Sequence, residues 1–185
     1  MATEVFAVSQ LGNSILRRPA QQISDCSDPQ LQTLIDRMLA TLKQSNGVGL
    51  AAPQVSESLQ LFIVASSPNP RYPNAPKMEP TAMLNPKIVS HSAIAVKDWE
   101  GCLSIPGIRG LVPRHPSIAV EYTDRQGCIQ QQEFTDFIAR IFQHEYDHLN
   151  GIVFLDRVES TYELITDQEY LKLIAQRQGE KSTSK

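Results

Sequence analysis

Between Gln143 and Gly151 the chain reads QHEYDHLNG, which holds the pattern His-Glu-x-x-His as His144, Glu145 and His148. Two histidines four residues apart on a helix lie one turn apart on the same face. Both rings can then reach one metal ion, with Glu145 beside them to move a proton. A catalytic metal usually takes three protein ligands and keeps one position open, so a third ligand must come from elsewhere. One group of metalloproteases continues the pattern as x-x-Gly-x-x-His; here Gly151 fits, but the last position is Phe154. A downstream carboxylate, Glu163 or Glu169, could serve instead. So could Cys102 in WEGCLSIPG, because a thiolate suits a borderline or soft divalent ion. Gly101 before it and Pro106-Gly107 after it suggest a strand end built for close approach.

A second stretch, GVGLAAPQV from Gly47 to Val55, is made mostly of small residues. Such residues let another backbone or a ligand come close. Gln54 ends the small-residue run with an amide able to donate to an oxyanion.

These groups need elements to hold them. A helix is expected from about Thr135 to Leu149, stopped by Asn150-Gly151. On a wheel of about 100° per residue, His144, Phe137, His148, Ile141, Glu145, Ile138, Leu149 and Phe142 fall in one arc of roughly 160°. Asp136, Ala139, Arg140, Gln143, Tyr146 and Asp147 fall outside it. The ionisable groups therefore face inward with the apolar ones, which costs several kcal/mol (roughly) unless they are paired or metal-bound. A first helix spans Ser27 to Gly47, capped by Asp28 and opened by Pro29, with Leu31, Leu34, Ile35, Met38, Leu39 and Leu42 as its apolar stripe. LQLFIVA (59–65) reads as a buried strand and residues 66–80 as a proline-rich loop. TAMLNPKIV, SAIAVKDWEGCLSI, SIAVEYT and CIQQQEF read as strands, the last two joined by the turn DRQG. A shorter helix is expected over Asp167 to Arg177. The fold class is α+β, one domain of antiparallel and mixed strands packed around the helix that carries the histidines. The domain is expected over 1–178, with 179–185 as a flexible tail.

Composition agrees with such a domain. The chain has 185 residues, 41% of them hydrophobic and 20% charged, ordinary values for a soluble globular protein. A net charge of -3 offers no basic excess for direct nucleic-acid binding. No stretch is long enough to span a bilayer, and the N-terminus is not built as a secretory signal. Three widely spaced cysteines, Cys26, Cys102 and Cys128, argue for a reducing compartment rather than a disulfide framework. The expected setting is cytoplasmic, or an organelle after removal of a transit peptide.

Taken together, GVGLAAPQ, EGCLS and QHEYDHLNG resemble the three signature motifs of the peptide deformylase family, in the same order and spacing. The resemblance runs from LGNSILRRPA to GIVFLDRV. It implies a metalloenzyme that removes the formyl group from the formylmethionine of nascent polypeptides and releases formate, working in transient proximity to the ribosome. It implies Cys102, His144 and His148 as ligands of one divalent ion, Fe2+, replaceable by Zn2+, Ni2+ or Co2+. It makes Glu145 the proton carrier. It makes the Gln54 amide and the Leu103 backbone N–H the donors to the tetrahedral oxyanion. Val48, Ile141 and Phe137 are candidates for the methionine slot. Gly47 and Gly49 can hydrogen-bond an extended peptide, and Arg109 is a weaker candidate for substrate contact. Glu100 and Arg114 are placed to pair behind the cysteine loop. The sequence departs from the family at Asp136, where glycine is frequent.

Two rivals predict different behaviour. A small metalloprotease with Glu163 or Glu169 as third ligand would keep its metal when Cys102 is replaced. A metal-stabilised binding module would need a fourth protein ligand from Cys26, Cys128, His91 or His115, none suggestively spaced.

Overall fold

The structure, a computed structural model, describes residues 4–69 and 72–183, the last seven of these as backbone only. The first helix, α1, runs Pro29–Ser45. The Asp28 carboxylate accepts the Gln30 N–H at 2.8 Å, and Asn46 closes the helix in the left-handed conformation, φ 50°. Capping of this kind satisfies N–H groups that the first turn leaves without partners.

Five strands form an antiparallel sheet in the order β1-β2-β3-β6-β7: β1 Gly49–Ala51, β2 Leu61–Ser66, β3 Met78–His91, β6 Ser117–Thr123 and β7 Ile129–Thr135. The run LFIV in β2 is buried throughout because both faces of the sheet are covered. Successive side chains of a strand point to opposite faces. Leu61 and Ile63 therefore join the core under α1, and Phe62 and Val64 join the core under the second helix. In β3, Ala82 and Leu84 take the α1 side and Met83 the other. That second helix, α2, runs Asp136–Leu149 and packs on β1, β2, β6 and β7. Phe142 meets Phe62 edge to face, with ring centroids 5.0 Å apart.

A second, three-stranded sheet in the order β4-β5-β8 comprises β4 Val96–Cys102, β5 Ile105–Arg114 and β8 Leu164–Thr166. β4 and β5 form a hairpin whose register jumps between Gly101↔Arg109 and Cys102↔Ile105. The extra residues of β5 bulge there, with Gly107 at φ 82°. Such a bulge re-aims the strand beside it, and here that strand ends in Cys102.

The α+β class, the two long helices, β2 and the β6–β7 hairpin agree with the sequence reading. Several elements differ from it. β3 begins at Met78, inside the stretch expected to be loop. SAIAVKDWEGCLSI is not one strand, because it turns at Leu103–Ser104 into β5. β1 and β8 were not anticipated. The last helix, α3, runs Asp167–Thr183 rather than stopping at Arg177. The expected tail, 179–185, overlaps that backbone, and Ser184 and Lys185 lie outside the described residues. Finally, α2 is buried on more than one face: Ala139, Gln143 and Asp147, outside the expected arc, are all buried.

Candidate metal centre and substrate pocket

Cys102 at the end of β4 and the two histidines of α2 meet between the two sheets. The Cys102 Sγ lies 3.3 Å from His148 Nε2. One ligand atom from each of Cys102, His144 and His148 falls within 4.8 Å of the others. A thiolate with two imidazoles is a donor set for a borderline divalent ion, and the three atoms are close enough to share one.

The ring orientation is set from behind. His144 Nδ1 donates to Glu100 Oε2 at 2.9 Å, which turns its other nitrogen toward the cysteine. Glu100 also accepts Arg114 Nε and Nη2 at 2.9 and 3.1 Å and Arg140 Nη1 at 2.9 Å. Arg114 Nη1 reaches on to Asp147 at 2.6 Å, and Arg157 binds the same carboxylate. The expected Glu100–Arg114 pair therefore forms, inside a larger buried network. Asp147 stands next to His148 in sequence, so the network backs both histidines.

The electrostatics follow from this packing. Burial pushes the Glu100 carboxyl up, but Arg114 and His144 together outweigh burial and hold it well below the usual carboxylate range. Burial likewise opposes ionisation of Cys102, yet the histidines hold its thiol well below the ordinary value. His144 is held well above its ordinary value despite burial, by its bonds to Cys102 and Glu100. Glu145 is different. Burial pushes it up to about 7, with the histidines pulling down and Cys102 and Glu100 pushing up. Its Oε2 is buried with no hydrogen-bond partner among the described residues.

Gln54 sits in the short turn Ala52–Val55 after β1. Its carbonyl oxygen accepts the Ala51 N–H at 2.8 Å. That bond fixes the amide so that Nε2 points at Ser104 Oγ, 3.1 Å away, and Cys102 Sγ, 3.5 Å away. Gly47, Val48, Gly49, Leu103, Arg109, Phe137 and Ile141 all line one pocket that opens beside Cys102, His144 and Glu145. Arg109 is almost wholly buried, with Nε on Asp167 and Nη1 on the Tyr72 hydroxyl.

The alternative ligands lie elsewhere. Glu163 is bonded to Lys97 at 2.5 Å and Glu169 to Lys172 at 2.7 Å. His91 and His115 stack on each other, centroids 3.8 Å apart, and Cys26 and Cys128 are free thiols outside the cluster. Sequence reasoning did not single out Ser104, which is fully buried and donates its N–H to Cys102 Sγ. Its place two residues after the cysteine was the available signal. Tyr72 and Asp167, which also line the pocket, carry no local signal.

Residues 5–163 match the family described as polypeptide deformylase. Peptide deformylase 2 of Nostoc sp. is 60% identical over 174 residues, covering 94% of this chain and 97% of that protein. Peptide deformylase 2 of Shewanella oneidensis is 46% identical, covering 88% and 89%. Among solved structures, the class I type b peptide deformylase of Acinetobacter baumannii bound to Met-Ala-Ser superposes with a TM-score of 0.82. It shares 45% identity over 85% of this chain and 100% of that one. A peptide deformylase of Synechococcus elongatus in complex with actinonin gives a TM-score of 0.76 at 36% identity, covering 88% and 86%.

Proposed function

This chain belongs to the polypeptide deformylase family, metal-dependent hydrolases that remove the N-formyl group from nascent polypeptides, and we propose that Cys102, His144, His148 and Glu145 carry that reaction here. The observation that bears most weight is the convergence of one sulfur and two ring nitrogens within 4.8 Å, in the pocket that Glu145 also lines.

In this reading Cys102, His144 and His148 hold one ferrous ion, which zinc, nickel or cobalt can replace. The bound ion supplies Lewis acidity and makes water nucleophilic near neutral pH. Glu145 accepts the proton of the water that attacks the formyl carbon. It returns a proton to the amine nitrogen as the C–N bond breaks, leaving formate and a free N-terminus. A carboxyl held near neutrality by burial suits both halves of that transfer. The Gln54 Nε2 and the Leu103 backbone N–H donate to the oxygen that gains charge. Each such donor is typically worth about 3 kcal/mol of barrier. Because the Ala51 N–H already fixes Gln54, that donor needs no reorganisation.

Val48, Phe137 and Ile141 form the slot for the methionine side chain. Gly47 and Gly49, the latter in edge strand β1, present backbone to the extended peptide, and Arg109 lines the same pocket. The Acinetobacter baumannii relative was solved bound to Met-Ala-Ser, a methionine-led peptide. Helix α2 is then the centre on which both sheets bring their residues together. The catalytic domain of this reading is 1–178, although α3 carries the chain across residue 178 without a break. The substrate places the protein transiently near the ribosome, in the cytoplasm or in an organelle after transit-peptide removal. Its net charge of -3 offers nucleic acid no direct footing, and no described helix is long and apolar enough to cross a membrane.

The test uses iron-loaded protein prepared without oxygen and formyl-Met-Ala-Ser. Equal release of formate and free-amine Met-Ala-Ser is expected. Glu145→Gln should abolish release with the metal retained, and Cys102→Ser should lose the metal. Cleavage inside the peptide, or metal retained by Cys102→Ser, would overturn the assignment.

A further inference from the structure

We propose that Tyr72, which reaches the pocket from the proline-rich segment, is the outer wall of the slot for the substrate's first side chain, and that Arg109 is a positioning residue that holds it there. The inference rests on the reading that this pocket receives the formylated residue.

Three contacts place the ring. Its face meets Phe137 at 4.9 Å between centroids, tilted by 52°. Phe137 sits one turn before Ile141 on α2, and all three side chains line the pocket. The Tyr72 hydroxyl accepts Arg109 Nη1 at 3.0 Å. Its backbone N–H donates to Asn69 Oδ1 at 3.0 Å. Arg109 is itself clasped, with Nε on Asp167 Oδ1 at 2.7 Å and the Tyr170 ring 4.2 Å from its guanidinium carbon. The chain Phe137–Tyr72–Arg109–Asp167 therefore ties α2, the proline-rich segment, β5 and the start of α3 into one wall. Two of the guanidinium nitrogens are committed to partners within the protein. That commitment favours a role for Arg109 exerted through Tyr72 over one exerted on the substrate backbone.

A wall fixed before the substrate arrives discriminates by size, and one methylene in such a pocket is worth about 10–200-fold in kcat/KM. Loss of uniform binding appears in KM, whereas loss of transition-state contacts appears in kcat.

The experiment measures kcat and KM of the iron-loaded protein on formyl-Met-Ala-Ser and on analogues led by phenylalanine and by norvaline. Tyr72→Ala should raise KM for the methionine peptide about tenfold with kcat within about twofold. It should also raise the phenylalanine-to-methionine ratio of kcat/KM about tenfold or more. Tyr72→Trp should shift preference the opposite way, toward norvaline. Tyr72→Phe, which keeps the ring but removes the hydroxyl that Arg109 Nη1 holds, should raise KM for the methionine peptide about threefold, and Arg109→Lys should do the same; a parent-like KM in both variants would overturn the positioning role of Arg109. Metal content and melting temperature confirm that each variant is folded. If Tyr72→Ala and Tyr72→Trp leave the side-chain ratios within twofold of the parent, the proposal is overturned. It is equally overturned if the loss falls on kcat alone. A parent protein that released no formate from any peptide would instead overturn the function on which the proposal rests.

Discussion

Gly49 is pressed against the carboxyl group of Glu145. A methyl group built on its Cα would lie 2.6 Å from the glutamate Cδ and 2.8 Å from its Cγ, well inside contact distance. The small residue in β1 therefore makes room for the Glu145 carboxyl, the proton carrier of the proposed reaction. Gly49→Ala should push the carboxylate from its place while leaving the three ligand atoms alone. The expected outcome is a fall in kcat of about 100-fold, the usual cost of misplacing a reacting group by about 1 Å. Bound metal should remain stoichiometric. A fall confined to KM would show that the glycine matters only to peptide binding.

Arg114 neutralises two buried carboxylates, Glu100 and Asp147, and both back the histidines. Removing one partner of a buried ion pair strands the other, which costs about 3–5 kcal/mol. Arg114→Met should lose that much stability in denaturant titrations at pH 7. The sign of the pH dependence follows from Glu100, whose carboxyl is held below its ordinary value. Its contribution is complete above about pH 4.5 and is lost as the pH falls through the depressed value. The parent should therefore weaken on acidification below that point, and Arg114→Met should weaken less steeply. Equal slopes in the two proteins would remove Glu100 from the account.

The metal-free chain should bind its ion with release of protons. Cys102 is held below its ordinary value, toward thiolate, whereas His144 is held above its own, toward imidazolium. A ligating histidine must be neutral and a ligating cysteine a thiolate, so uptake should expel the proton that the Cys102–His144 pair shares. Calorimetry in buffers of different ionisation enthalpy should report about one proton released per ion, and affinity should fall as the pH is lowered. A release of zero would mean that neither Cys102 nor His144 carries a proton in the metal-free protein. Glu145 works in the other direction in the metal-free fold. Its raised carboxyl favours the fold below about pH 4.5, and that gain is lost as the pH rises through about 7. Glu145→Gln should flatten that part of the profile.

The sequence made the chemistry more legible than the strands. His144 and His148 announce themselves by residue type and spacing, whereas Cys102 stands beside Glu163 and Glu169 as a candidate until the resemblance of EGCLS to a family motif picks it out. α1 announces itself by Asp28, Pro29 and a stripe that is buried except for the partly exposed Leu39. β5 stayed hidden because Pro106, Gly107 and Pro113 punctuate it like a loop, and its pairing with β4 and β8 outweighs those local preferences. β1 and β8, three residues each, are too short to show a period. The wheel for α2 assumed one buried face. Gln143 and Asp147 are buried as well, because the helix has neighbours on more than one side, where His115 and Arg114 receive them. Asp136, where glycine is frequent in the family, has φ 49°, a left-handed backbone that glycine adopts without steric cost. Tyr72 becomes visible only when a segment without periodicity folds back onto Phe137.

The bulged hairpin of β4 and β5 has a bearing on assembly. The cysteine it delivers is 46 residues from His148 along the chain, whereas the two histidines are neighbours on a helix that can form locally. Until β4 and α2 dock, the helix alone offers at most two imidazoles to a divalent ion, one ligand short of the usual three. The sulfur arrives only with the hairpin. In the proposed reading, tight capture of the ion would therefore require β4 and α2 to be docked, so metal affinity would report on tertiary structure.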